Sequence, residues 1–75
     1  MEEETKSITD QFWDIVTELK SVEHDVAKFE AGNASAGVRL RHALRQTKRL
    51  AADLVKASSK RTDEMKEAKR AAKQA

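Results

Sequence analysis

The sequence predicts an all-α protein: an antiparallel helical hairpin with a longer second helix, assembling into a dimeric or higher helical bundle. Three observations carry that prediction. The chain has no proline, two glycines, one tryptophan, two phenylalanines and no tyrosine, and Ala, Leu, Lys, Arg, Glu and Gln dominate the rest. That is the composition of long helices, with almost nothing to build a sheet from. Apolar residues recur at alternating steps of four and three over the first arm, which is the period of one helix face. A single short segment, residues 31–35, interrupts the pattern, and so short a connection leaves its two helices as antiparallel neighbours.

The first helix is expected over about residues 8–31. Its seam is Ile8, Phe12, Ile15, Leu19, Val22, Val26 and Phe29, widened by Val16. Thr5, Ser7, Thr9 and Asp10 supply the hydroxyls and carboxylates that accept from the free N–H groups of a helix start. The turn is placed at 32–35. Gly32 suits the left-handed position after a helix, and Asn33 or Ser35 suits the cap of the next one.

The second helix is expected from about Ala36 to near the end, with a seam at Leu40, Leu44, Thr47, Ala51, Leu54, Ser58, Arg61, Met65, Ala68 and Ala72, flanked by Ala43 and Leu50. Its first half is apolar and its second half is not. The first helix is too short to face the second beyond roughly Lys60. The chain therefore divides into a hairpin, residues 1–59, and a basic helical extension or tail, residues 60–75, which must pack on another subunit, contact a ligand or fray.

A domain of 75 residues without cysteine has neither disulfide nor thiolate–metal site to staple it, which makes association with itself or a partner the ordinary route to stability, and an oligomer is expected. Phe12, Trp13 and Met65 are the candidates for an oligomer interface. Trp13 sits off the seam, on the flank of Lys20 and His24, and is expected to be partly buried. No stretch is long and apolar enough to span a bilayer, and the acidic Met1-Glu2-Glu3-Glu4 opening is unlike a signal peptide, so the expectation is a cytoplasmic protein without membrane contact.

The net charge of +2 conceals a division. Residues 1–31 hold nine Asp/Glu against three Lys/Arg, and residues 32–75 hold twelve Lys/Arg against four Asp/Glu. Such asymmetry points to a polyanion partner, or equally to two helices that neutralise each other. On a helical wheel Arg41, Arg45, Lys48, Arg49 and Lys56 gather on the arc opposite Leu40, Leu44, Leu50 and Leu54, and Lys60 opens the basic extension. Cations in such a stripe meet successive phosphates and give salt-sensitive, sequence-independent binding to double-stranded DNA. The bland alternative is a solvated charged face.

Little in the chain supports other chemistry. His24 and His42 point away from their seams to different sides, and no third ligand joins them, so no metal is expected. There is no nucleophile beside a base, no inward pair of carboxylates and no glycine-rich phosphate loop, so neither enzyme activity, nor a cofactor, nor a small-molecule substrate is expected. Stacking on single strands needs exposed aromatics on the basic surface, and both phenylalanines fall in the first helix seam, so that route is weak.

The stretch Gly32-Asn33-Ala34-Ser35-Ala36-Gly37-Val38-Arg39-Leu40-Arg41, continuing through Leu44, Leu50 and Ser58, resembles the bacterial histone-like nucleoid proteins of the chlamydial linker-histone-like type. The resemblance covers roughly residues 12–59 and is most specific at the Gly-Asn turn and the Arg-x-Arg pair. It implies non-specific binding and compaction of DNA in a prokaryotic nucleoid, with Arg39, Arg41, Arg45, Lys48 and Arg49 at the matching basic positions. Two features depart from that type: the first helix is more acidic, and the long Lys/Ala/Pro-rich tail is reduced to Lys60–Ala75. The competing reading is a structural or adaptor coiled coil whose seams recruit partner helices. Membrane-surface association through the tail ranks last, because no large apolar residue follows Met65.

Overall fold

A computed structural model describes residues 6–74 in three helices: α1 (Ile8–Lys20), α2 (Glu23–Glu30) and α3 (Ala34–Gln74). There is no strand among the described residues. Thr5 and the acidic opening lie outside the described residues. Helices α1 and α2 run back along α3, and the molecule is long and thin, 63 × 28 × 14 Å. The length is that of α3 itself, since 41 residues at about 1.5 Å each span about 62 Å.

The start of α1 is fixed by Ser7, whose Oγ accepts from Asp10 N at 3.0 Å from an extended backbone (φ −70°, ψ 164°). Just before it, Lys6 Nζ donates to Asp14 Oδ2 at 2.6 Å.

The expected single helix over 8–31 is broken at Ser21–Val22. Ser21 Oγ donates to Glu18 O at 2.6 Å, and Val22 N and Asp25 N donate to the carbonyls three residues back, at 3.2 and 3.0 Å. A serine hydroxyl competing for a backbone carbonyl and a run of i→i−3 bonds together tighten and rotate the chain. Val22 (φ −117°, ψ 14°) is buried at the break. The rotation changes which residue of α2 meets α3: Asp25 is buried, at 8% exposure, while Val26 is left about half exposed. The apolar spacing runs through this point unbroken, so hydropathy alone does not reveal the break.

The turn between α2 and α3 forms as the glycine and asparagine suggested. Gly32 has φ 107°, its N–H donates to Phe29 O, and Asn33 N–H donates to Lys28 O, both at 2.9 Å. These are the two bonds of a Schellman cap. Asn33 then caps α3 with its own side chain, Oδ1 accepting from Ala36 N at 3.0 Å. Using one residue for both tasks starts α3 at Ala34, two residues before the expected boundary.

The face of α3 toward α1 and α2 follows Ala36, Leu40, Ala43, Thr47, Leu50, Leu54 and Ala57, a heptad rhythm that corrects the expected seam. Leu44, placed on that seam by spacing, is about half exposed, whereas Ala43 is buried. Small residues govern the choice. A Cβ built at Gly37 would fall 2.6 Å from Phe29 Cδ1 and 3.0 Å from Cζ, so the Phe29 ring sits directly on the α3 backbone. Thr47 Oγ1 is buried in this face without a hydrogen-bond partner among the described residues. The apolar core is slight, with Val22, Ala36 and Ala43 its buried members.

Candidate nucleic-acid interface

At 100° per residue, Arg41, Arg45, Lys48 and Lys56 fall within roughly 80° of one another on α3, with Arg49 and Lys60 on the shoulder of the same arc. All six are exposed, and none takes part in an ion pair among the described residues. The covered face, from Ala36 to Ala57, lies on the other side of the helix. Packing α3 against the acidic arm therefore leaves this stripe open, which answers whether the acidic helix of the same chain masks it. Its span from Arg41 to Lys60 is about 28 Å at 1.5 Å per residue.

Arg39 has a different surrounding. Its Nη2 and Nε donate to Asp25 Oδ1 at 2.8 and 3.1 Å, clipping α2 to α3 near the turn. The bond from Arg39 holds the Asp25 carboxyl below the ordinary carboxylate range against the opposing effect of burial, and Lys28 and His24 add smaller attractions. The same bond raises the Arg39 guanidinium. Sequence reading grouped Arg39 with the phosphate-contacting cations; the structure sets it on the edge toward α2, with its charge engaged. The opposed charges of Asp25 and Arg39 at turn-symmetric positions were the available signal for this pair.

Glu18, Asp25, Arg39 and His42 border one shallow depression beside the α1–α2 break. His24 is exposed elsewhere on the surface. No group of three or more His, Cys, Asp or Glu side chains converges among the described residues.

The remaining candidates are apolar and outward. Phe12 and Trp13 pack edge to face, ring centroids 5.3 Å apart at 81°, yet remain 50% and 56% exposed. Trp13 is thus more open than the partial burial expected of it, because it lies too far round α1 to reach α3. Met65 is 56% exposed on the extension. Ile8, Leu19, Val38 and Val55 are also substantially exposed.

Beyond Ala57 every described residue of α3 through Lys73 is exposed, including Ser58 and Arg61 of the expected seam. Lys66, Lys69, Arg70 and Lys73 border a second shallow depression. The only ion pairs of this stretch among the described residues are Arg61–Glu64 at 3.8 Å and Glu67–Arg70 at 3.7 Å, both solvent-exposed and worth little. No helix among the described residues is long and apolar enough to cross a membrane.

Comparison with known proteins gives a family. Searches of curated proteins and of solved structures return no match. A family model described as "Histone H1-like protein Hc1" matches residues 9–64, a range that takes in α2, nearly all of α1 and α3 as far as Glu64. The match bears out the resemblance carried by the Gly-Asn turn and the paired arginines, and the chain belongs to this histone H1-like family.

Proposed function

We propose that this chain is an architectural DNA-binding protein that holds double-stranded DNA through its phosphates, without reading sequence, and organises or compacts a bacterial nucleoid. Membership of a histone H1-like family supports a DNA-binding structural protein and not an enzyme. The observation that carries the mechanism is the open stripe of Arg41, Arg45, Lys48, Arg49, Lys56 and Lys60, free of carboxylate partners among the described residues. Each cation that neutralises a phosphate releases counterions, which favours binding and makes it fall steeply with salt. Arg39 serves this activity indirectly, by holding α2 against α3.

Self-association belongs to the same reading. An accessible surface of 6272 Å² compares with about 4600 Å² for a compact monomer of 8.4 kDa. The excess is comparable with the area a standard protein interface buries in total. With so slight an internal core, the occupant that best fits the exposed Phe12, Trp13 and Met65 is a second copy of the chain. Dimerisation through the apolar residues would cover them and leave the basic stripe open.

The test is the triple variant Arg41→Glu, Arg45→Glu, Arg49→Glu. All three side chains are exposed and outside the packed face, so the variant should fold. Affinity for duplex DNA should fall by roughly a hundredfold or more at moderate salt, from three lost phosphate contacts and the added repulsion. Unchanged affinity in a folded variant would refute the stripe as the DNA-binding surface.

A further inference from the structure

We infer that two copies pair through one broad side of the hairpin, with the two-fold axis along the helices, so that their basic stripes face opposite ways and one dimer bridges two separate duplexes. The inference rests on the DNA-binding and self-association readings above. It adds the surface that pairs, the arrangement and the consequence for DNA.

The hairpin has two unlike broad sides. On α1 the half-buried Gln11, Ile15 and Glu18 mark the face toward α3. Ile8, Phe12 and Leu19, all exposed, lie roughly 70° round from them at 100° per residue. On α3 the exposed Leu44 and Val55 lie roughly 100° from the covered face, in the same rotational sense along the chain. The helices are antiparallel, so equal senses bring both sets to the same side of the hairpin. The Phe29 ring lies on that side as well, since it sits on Gly37, which shares the direction of Val55 on α3. The opposite side carries acids at two shallow depressions, one bordered by Asp14, Leu50 and Asp53, the other by Glu18, Asp25 and Arg39. The first side is therefore the one with apolar surface to bury, and the surplus accessible area of the chain is of the size a stable interface covers.

A symmetric pair can place its axis across the helices or along them. Across, α3 would lie on the partner's α3, and the near edge of each stripe, Arg41 and Lys48, would meet its own copy, cation against cation. Along, α3 lies on the partner's α1, and the same edge meets Thr9, Trp13 and Val16, which carry no charge. Like charges side by side disfavour the first arrangement. An axis along the helices also keeps every residue at its own level. Counting from the Asp25–Arg39 pair, Leu44 then stands within about one turn of Leu19 in the second copy, and Val55 within about one turn of Phe12. Each stripe points away from α1, so in this arrangement the two stripes end on opposite edges of the dimer, where one straight duplex cannot reach both.

The experiment reads pairing and bridging separately. Mass in solution is measured for the full chain, and an immobilised duplex carrying bound protein is offered a second, labelled duplex of unrelated sequence. The unmodified protein should be a dimer and should retain the second duplex. The variant Phe12→Gln with Leu44→Gln keeps the charge and changes exposed positions. It should pair more weakly by roughly tenfold or more, since each copy loses two large apolar side chains from the contact. It should still bind the immobilised duplex, with retention of the second at background. Leu19→Gln with Val55→Gln repeats the test from the same side, and helicity is checked for both variants. A monomeric unmodified protein, or undiminished pairing in both folded variants, would overturn the pairing surface. A dimer that binds one duplex and never retains a second would overturn the arrangement, and a monomeric variant that still bridges would overturn the link between the two. Failure of the DNA-binding reading is distinct from all of these, because the unmodified protein would then not stay on the first duplex.

Discussion

Residues 34–57 and 58–73 of α3 belong to one uninterrupted helix, yet among the described residues only the first stretch has side chains covered by the other helices; in the second every residue stays exposed, even where Lys60, Arg61 and Glu64 border a depression shared with the start of α1. In the covered part, small residues at Ala36, Gly37 and Ala43 let α2 and α1 approach closely, and Leu40, Leu50 and Leu54 fill the space between backbones. In the open part the corresponding positions are Ser58, Arg61, Met65 and Ala68, of which only Met65 offers a large apolar side chain, left exposed. The contrast separates what holds the chain together from what the chain presents. The covered part owes its order to packing, and the open part to alanine and intrinsic helix propensity alone.

That difference makes substitutions sort by region: changes in the covered part should lower stability, and changes in the open part should alter binding with little effect on stability. The largest loss of stability is expected for Asp25→Asn, which leaves Arg39 at the hairpin edge without its countercharge. The pair also gives a direction with pH. Because the folded-state carboxyl is held below its ordinary value, its contribution is complete above the unfolded carboxylate pKa and is lost as pH falls through the lower folded value, that is, below about pH 4. Thermal unfolding between pH 7 and pH 2 should show this acid-sensitive component in the native chain, reduced in Asp25→Asn. Equal acid sensitivity in both would show that the clip does not hold the arms. A smaller loss, about 1–2 kcal/mol, is expected for Gly32→Ala, since φ of 107° is strained for any residue with a Cβ. Denaturant unfolding of that variant measures it directly, and no change would mean that the Schellman turn does not hold the arms in register.

Much of this division was readable before the structure. The Gly32-Asn33 turn was legible because both residues have specific backbone and capping roles, and the basic stripe because charge and wheel position are both sequence properties. The point at which the first arm ends against α3 followed from counting residues on either side of that turn. Two features were hidden. The break at Ser21–Val22 falls where Leu19, Val22 and Val26 continue the helical spacing, so the only local sign was a serine, a residue common in unbroken helices. The packed face of α3 turned toward Ala43 and away from Leu44 because close backbone approach rewards small side chains, whereas spacing arguments favour large ones. Arg39 joins the phosphate-contacting cations only through the family resemblance, whereas its pairing depends on where α2 places Asp25, which the break decides.

Phosphate contact from an open cationic helix face is the proposed means by which this chain holds DNA. The most direct measurement is a titration of the intact protein into two duplexes of unrelated sequence over a range of salt concentrations. The two sequences should bind alike, with log affinity falling linearly against log salt at about 0.9 per phosphate contacted. Strong preference for one duplex, or affinity that ignores salt while the protein stays folded, would contradict it.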